Sequence, residues 1–271
     1  MKTIFALFLI VAFITSGIAA QNPSDTLNQV DKSGKKHGYW KKYDVDTLKY
    51  EGRFDHGVPV GEFIYYYVSK NIKARVTYSE NGTVAQNIMY FPTGAKMAEG
   101  KYVNQKREGV WLNYDGYDHV IAEVEYKNGL KNGSSKTFYP DGGKLEEGTF
   151  MDGERDGLYI QYYPGNIVKI KGMYSKGKRN GPFAFYYPNG IVYTSGKYVN
   201  NIRQGDWTIY DEENKPIVKE TIKDGDVIAR EVYQKDKDPE EIRKKDAEIE
   251  NKNKGNTSPD NGIKDERFDG Y

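Results

Sequence analysis

Apolar residues recur along this chain in short alternating bursts, broken every six to nine residues by clusters of Gly, Pro, Asn and Asp. Stretches such as "GPFAFYY" (181–187) and "IVYTSGKYV" (191–199) are rich in aromatic and β-branched types and have no helical spacing, so they predict strands. Two kinds of punctuation separate them. One is the "FPTG", "YPDG", "YPGN", "YPNG" series, and the other is "NGLKNG", "DGERDG", "KGKRNG", in which Asn, Asp and Gly accept positive φ without strain. Two turns alternating with two strands predict one β-hairpin after another.

The hairpins repeat. Gly109, Gly133, Gly157, Gly181 and Gly205 stand at intervals of 24 residues, and the ladder extends backwards through Ala85 and Gly61 to Gly38, which arrives one residue short. These are eight copies. With the glycine as position one, position six is aromatic in all of them: Tyr43, Tyr66, Tyr90, Tyr114, Phe138, Tyr162, Tyr186 and Tyr210. Position three holds Trp40, Phe63, Trp111, Tyr159, Phe183 and Trp207, with Asn87 and Ser135 as exceptions. Position eighteen runs Phe54, Tyr78, Tyr102, Tyr126, Phe150, Tyr174, Tyr198 and Ile222, and position sixteen is glycine at Gly52, Gly100, Gly148, Gly172 and Gly196.

Side chains alternate across a strand, so positions three and six lie on opposite faces, and pairing position three with position sixteen would put position eighteen on the face of position three. If the mid-copy turn pairs position three with position sixteen, Phe183 faces Gly196 and Trp40 faces Gly52, a ring over bare backbone. The expected fold is all-β: a single-layer antiparallel meander in which each hairpin contacts mainly its neighbours. The 24 tyrosines and 29 glycines suit it, because a phenol tolerates the half-wet surface of a single sheet.

The combined columns, as in "GPFAFYYPNGIVYTSGKYVNNIRQG" (181–205), resemble the MORN repeat in the variant form of the bacterial YwqK antitoxin-like family, over about residues 38 to 225. The resemblance implies an extended hairpin array that binds or scaffolds proteins or lipids and is not itself catalytic.

The ends differ in kind. Lys2, the apolar run Ile4–Ile14 and the small residues up to Ala20 read as a secretory signal peptide cleaved near Ala20/Gln21, which predicts a secreted or periplasmic protein. A stable membrane span needs about 20 apolar residues, and this run is shorter. Residues 21–37 form a polar lead-in, residues 38–233 carry the eight copies, and residues 234–271 form a charged tail. In the tail, Asp238 as N-cap and Pro239 in the first turn predict a short solvated helix followed by disorder.

Beyond residue 20 the chain balances 39 basic against 39 acidic residues, which argues against nucleic acid as a partner. There is no cysteine, hence no disulfide and no thiolate metal site. "GMYSKGKR" (172–179) nearly matches a phosphate-binding loop but places Arg179 where the hydroxyl belongs. His37, His56 and His119 share no local metal-ligand spacing, the acidic turns lack a calcium ladder, and no nucleophile elbow is present, so neither an enzyme nor a cofactor is expected.

What remains is the position-six column. Tyr66, Tyr90, Tyr114, Tyr162, Tyr186 and Tyr210 are the candidate partner-binding residues, because rings in a row suit protein hot spots. A protein partner is the first expectation. The alternatives are an envelope glycan, since Gly/aromatic repeats also resemble wall-binding repeats although "TGW" is missing, and a toxin neutralised in an immunity role.

Overall fold

Two kinds of turn, both written in the sequence, fold the chain back on itself at every half repeat. The structure, a computed structural model, describes residues 26–235 and Lys237. The expected signal peptide and the expected helix at Asp238 with its tail lie outside these residues. Between copies, a two-residue connection puts both of its residues in the left-handed region: Asn128 and Gly129 at φ 53° and 86°, Asp152 and Gly153 at 49° and 90°. That geometry matches the right-handed twist of the strands it joins. Within a copy, connections such as residues 187–191 close when the Tyr187 amide donates to the Ile191 carbonyl and the Gly190 amide to the Tyr187 carbonyl, both at 2.9 Å.

The described residues form eighteen antiparallel strands, from β1 (Gln29–Val30) to β18 (Asp226–Val232), and no helix. Each strand from β2 to β17 pairs with the one before and the one after it in one open sheet. Each copy supplies two strands, from β2 (Lys36–Asp44) to β17 (Pro216–Lys223), while β1 and β18 extend the edges. The single missing residue of the first copy is in its turn. β2 and β3 (Thr47–Asp55) are joined through Val45 and Asp46 alone, with Asp44 opposite Thr47.

The glycine that opens a copy is a bulge. In β13 (Ile167–Ser175) and β14 (Lys178–Tyr186), Tyr174 pairs with Arg179 and then Gly172 with Phe183, so the ladder slips around Gly181, whose φ is 118°. The third copy has Ala85 at that place, and there β5 (Ile72–Ser79) and β6 (Val84–Tyr90) run in unbroken register. The turn at Glu80, Asn81 and Gly82, with φ of 49°, 54° and 76°, absorbs the surplus instead. The exception in the glycine column is therefore the copy that does not need a left-handed residue.

One sheet face is the core. Position-eighteen rings stand edge-on between position-three rings: Phe183, Tyr198 and Trp207 follow one another at 5.1 Å, and Tyr78 meets Phe63 at 5.2 Å. Pairs of this geometry contribute about 0.5–1.5 kcal/mol each beyond area burial. The expected register holds, with Phe183 opposite Gly196 and Trp40 opposite Gly52. The covering ring is a different one, however. A methyl group added at Gly196 would overlap Trp207, at Gly172 it would overlap Phe183, and at Gly52 it would overlap Phe63, each ring coming from the following copy. The ladder shifts between Ser195 and Lys197, and this offset lets the next ring lie across the glycine.

Position twenty-three, a column the sequence reading passed over, caps these rings. The Arg107, Arg155 and Arg203 guanidinium groups lie 4.6, 4.9 and 4.5 Å from the Trp111, Tyr159 and Trp207 ring centroids. Their stems cover apolar surface that a single layer would otherwise leave wet.

Candidate interaction face

The six candidate tyrosines end the first strand of their copies, Tyr162 one residue before the last, on the face opposite the position-three rings. At each of them the ladder shifts between positions five and six, as at Phe185/Tyr186 and Ile209/Tyr210. They divide into two sets. The Tyr66 and Tyr162 hydroxyls donate to Glu51 and Glu147 at 2.5 Å, and the Tyr114 hydroxyl donates to Glu99. Lys96 and Lys144 complete the last two groups, bonding Glu99 at 3.0 Å and Glu147 at 2.8 Å and lying 5.3 and 5.7 Å from the rings of Tyr114 and Tyr162. These glutamates occupy position fifteen of the first, third and fifth copies. In the second, sixth and seventh copies that position holds Arg75, Lys171 and Ser195. The Tyr90, Tyr186 and Tyr210 hydroxyls accordingly make no hydrogen bond to another described residue, and their rings are half-buried.

Desolvation, then the carboxylate, pushes the Tyr162 phenol up to about 12 and raises Tyr66 and Tyr114 as well. On the carboxylate side, burial pushes Glu51 and Glu147 up, but hydrogen bonds outweigh it. Tyr66, Lys41 and Tyr39 hold Glu51, and Lys144 and Tyr162 hold Glu147, below the ordinary value of 4.5. A depressed folded-state pKa contributes stability that is present above the ordinary value and lost as pH falls through the folded one. The melting temperature is therefore expected to drop below pH 4.5, and the drop to be smaller in the Glu51→Gln, Glu147→Gln double variant. Identical pH–melting curves would contradict this assignment.

A neighbouring column, unremarked in the sequence although the doublets Tyr66-Tyr67, Tyr162-Tyr163 and Tyr186-Tyr187 signal it, locks successive copies together. The Tyr67, Tyr139, Tyr163 and Tyr187 hydroxyls donate to the carbonyls of Tyr90, Tyr162, Tyr186 and Tyr210 at 2.7, 2.9, 3.0 and 3.0 Å. Position seven thereby fixes the backbone that carries position six.

The core face is not uniform. One cluster runs from Tyr50 to Tyr126 and a second from Ile170 to Ile222. Where the first cluster ends, a row of cross-strand partners turns polar: Asn113, Thr137, Glu146 and Gln161 stand in line, with Ala122 of the first cluster between Asn113 and Thr137. Glu146 accepts from Tyr159 at 3.1 Å and from Arg155 at 3.4 Å. The Asn113 amide, the Thr137 hydroxyl and the Gln161 carbonyl oxygen are buried without a protein partner. An unmade bond of this kind costs about 1–3 kcal/mol, whereas an apolar group of the same shape is neutral or better. Thr137→Val, at a site only 1% exposed, is expected to raise stability by about 1 kcal/mol in urea titrations. A loss of stability would mean that the hydroxyl has a partner in solution.

Elsewhere the chemistry is sparse. Residues 172–179 run from β13 through the Lys176–Gly177 turn into β14, with no helix to follow. His119 is bound within its own turn, its Nδ1 2.9 Å from Asp115. His37 and His56, which sequence spacing keeps apart, come together with Asp55, and among the described residues these three are close enough to share a cation.

No protein-family model matches the chain. No curated protein matches it either. Similar solved structures include two crystal structures of TarM, one of them an S. aureus mutant in complex with fondaparinux, alpha-GlcNAc-glycerol and UDP. Each is 10% identical, spans 35% of this chain and 19% of the TarM chain, and has a TM-score of 0.27, a likeness that carries no argument about fold or function.

Proposed function

We propose that this chain is a non-catalytic, MORN-like repeat module, secreted or periplasmic once residues 1–20 are removed, that holds a protein partner on the face bearing the position-six tyrosines. The supporting observation is the division of that column. Tyr66, Tyr114 and Tyr162 spend their hydroxyls on internal glutamates, whereas Tyr90, Tyr186 and Tyr210 keep theirs. A half-buried phenol with a spare hydroxyl on a rigid strand combines apolar area with a directional bond at low entropic cost, which is what interface hot spots require. Tyr186 and Tyr210 are adjacent in the column and anchored through the carbonyls that Tyr163 and Tyr187 bind.

The test is a photo-crosslinking amino acid at position 186 or 210, in the cells that make the protein, with the exposed turn residue Tyr117 as control site. A discrete protein adduct from 186 and 210, absent from 117, is expected. Its affinity should fall by about 2–4 kcal/mol in the Tyr186→Ala, Tyr210→Ala variant, with little change in melting temperature. A carbohydrate adduct would favour the glycan alternative. Equal adducts from all three sites would remove the face from consideration.

A further inference from the structure

We propose that His37, Asp55 and His56 form a binding site for a divalent cation of the zinc class at the start of the array, with Asp31 orienting His56. The register of the first hairpin brings the ligands together. Beyond the Gly38–Phe54 pair, His37 at the start of β2 faces Asp55 at the end of β3, and the ring of the next residue, His56, turns back to lie 4.7 Å from the His37 ring. His37 Nδ1 is 3.4 Å and His56 Nε2 is 3.8 Å from Asp55 Oδ1, and the ligand atoms of the three residues all lie within 4.8 Å of one another. A tetrahedral cation with bonds of about 2.0–2.2 Å spaces its ligands by about 3.3–3.6 Å, so small side-chain rotations suffice to close the site.

The fourth residue makes this more than a surface cluster. Asp31 Oδ1 accepts the Ser33 and Lys35 amides at 2.7 and 3.0 Å, which fixes the carboxylate in the turn between β1 and β2. Its Oδ2 lies 2.5 Å from His56 Nδ1. With the Nδ1 proton donated to Asp31, the His56 lone pair is on Nε2, the nitrogen aimed at Asp55. A carboxylate on the far nitrogen of a ligating imidazole is the usual outer support of such a centre.

The donor set selects the metal. Two imidazoles and one carboxylate suit zinc, cobalt or nickel, whereas calcium and magnesium require oxygen ligands in greater number. Three protein ligands leave one position open to water or to a donor from another molecule. All three residues are exposed, so the cation has access. A bound cation would tie the start of β2 to the end of β3 and so reinforce the first edge of the sheet, where β1 contributes only two residues.

Cobalt(II) titration of the full chain, without a histidine tag, tests this through the visible absorption of a four-coordinate centre. One equivalent is expected to produce the band, and one equivalent of zinc to abolish it by displacement. His37→Gln and His56→Asn, the latter chosen because position 56 has φ 47° and Asn tolerates it, should each remove the band while still unfolding cooperatively without metal. Asp31→Asn should weaken cobalt binding by about 10–100-fold. His119→Gln, which alters the remaining histidine of the chain, should leave the band unchanged. Absence of a saturable one-to-one band in the parent, or its persistence in both ligand variants, would overturn the site.

Discussion

Replacing Trp111 by alanine is expected to lower the free energy of unfolding by about 3–5 kcal/mol, the range for a large buried ring. The indole is 0% exposed, although among the described residues the sheet has no second layer behind it. It is held from three sides: Tyr102 meets it edge-on at 4.9 Å, the Arg107 guanidinium lies 4.6 Å from its centroid, and its N–H donates to the Lys101 carbonyl at 3.1 Å. Truncation leaves the Arg107 stem without its ring and opens the first cluster to water. The surrounding strands cannot collapse onto the gap, since their spacing is set by the backbone ladder. Equilibrium denaturation with Tyr117→Ala as an exposed reference measures the effect. A cost below about 1 kcal/mol, the level of an ordinary surface change, would mean that the rings do not form the core.

The second large effect is the addition of one methyl group. Gly100 lies beneath the Trp111 indole, and an added Cβ would overlap ring atoms. Gly100→Ala is therefore expected to cost about 1–3 kcal/mol through overpacking, although alanine is the better residue for an ordinary strand. The origin of the cost can be isolated, because it should disappear when the indole is gone. In the Gly100→Ala, Trp111→Ala double variant the two losses should fall short of their sum by at least about 1 kcal/mol, as expected for residues in contact. Additivity within about 0.5 kcal/mol would show that glycine is needed there for some reason other than the ring.

These effects bear on how much of the molecule could be read in advance. The 24-residue ladder, the two turns per copy and the opposite faces of Phe183 and Tyr186 are all legible, because turn chemistry and two-residue alternation act within a few residues. The pairing of Phe183 with Gly196 follows from the turn between them. That Trp207 covers Gly196 does not, because it depends on the bulge that the next copy opens. The buried polar row was equally hidden. Asn113, Thr137 and Gln161 occupy position five, where other copies carry Tyr65, Met89, Phe185 and Ile209, so the column had no single residue type to draw attention.

The candidate tyrosines show the same limit. Their presence, spacing and face belong to the sequence. Which of them keeps a spare hydroxyl is decided by position fifteen of the preceding copy, where Glu147 engages Tyr162 and Lys171 leaves Tyr186 unbound. The histidines are a sharper case, since His37 and His56 share no ligand spacing within one segment and meet only because a hairpin brings its two ends together. The repeat, the strands, their turns and the side of the sheet each residue occupies are consequences of local backbone preference and are written along the chain. Which ring covers which glycine, which phenols are spent internally and which charged groups meet emerge only once the strands are assembled. Those outcomes depend on cross-strand neighbours, and bulges that local preference does not place set the alignment of those neighbours.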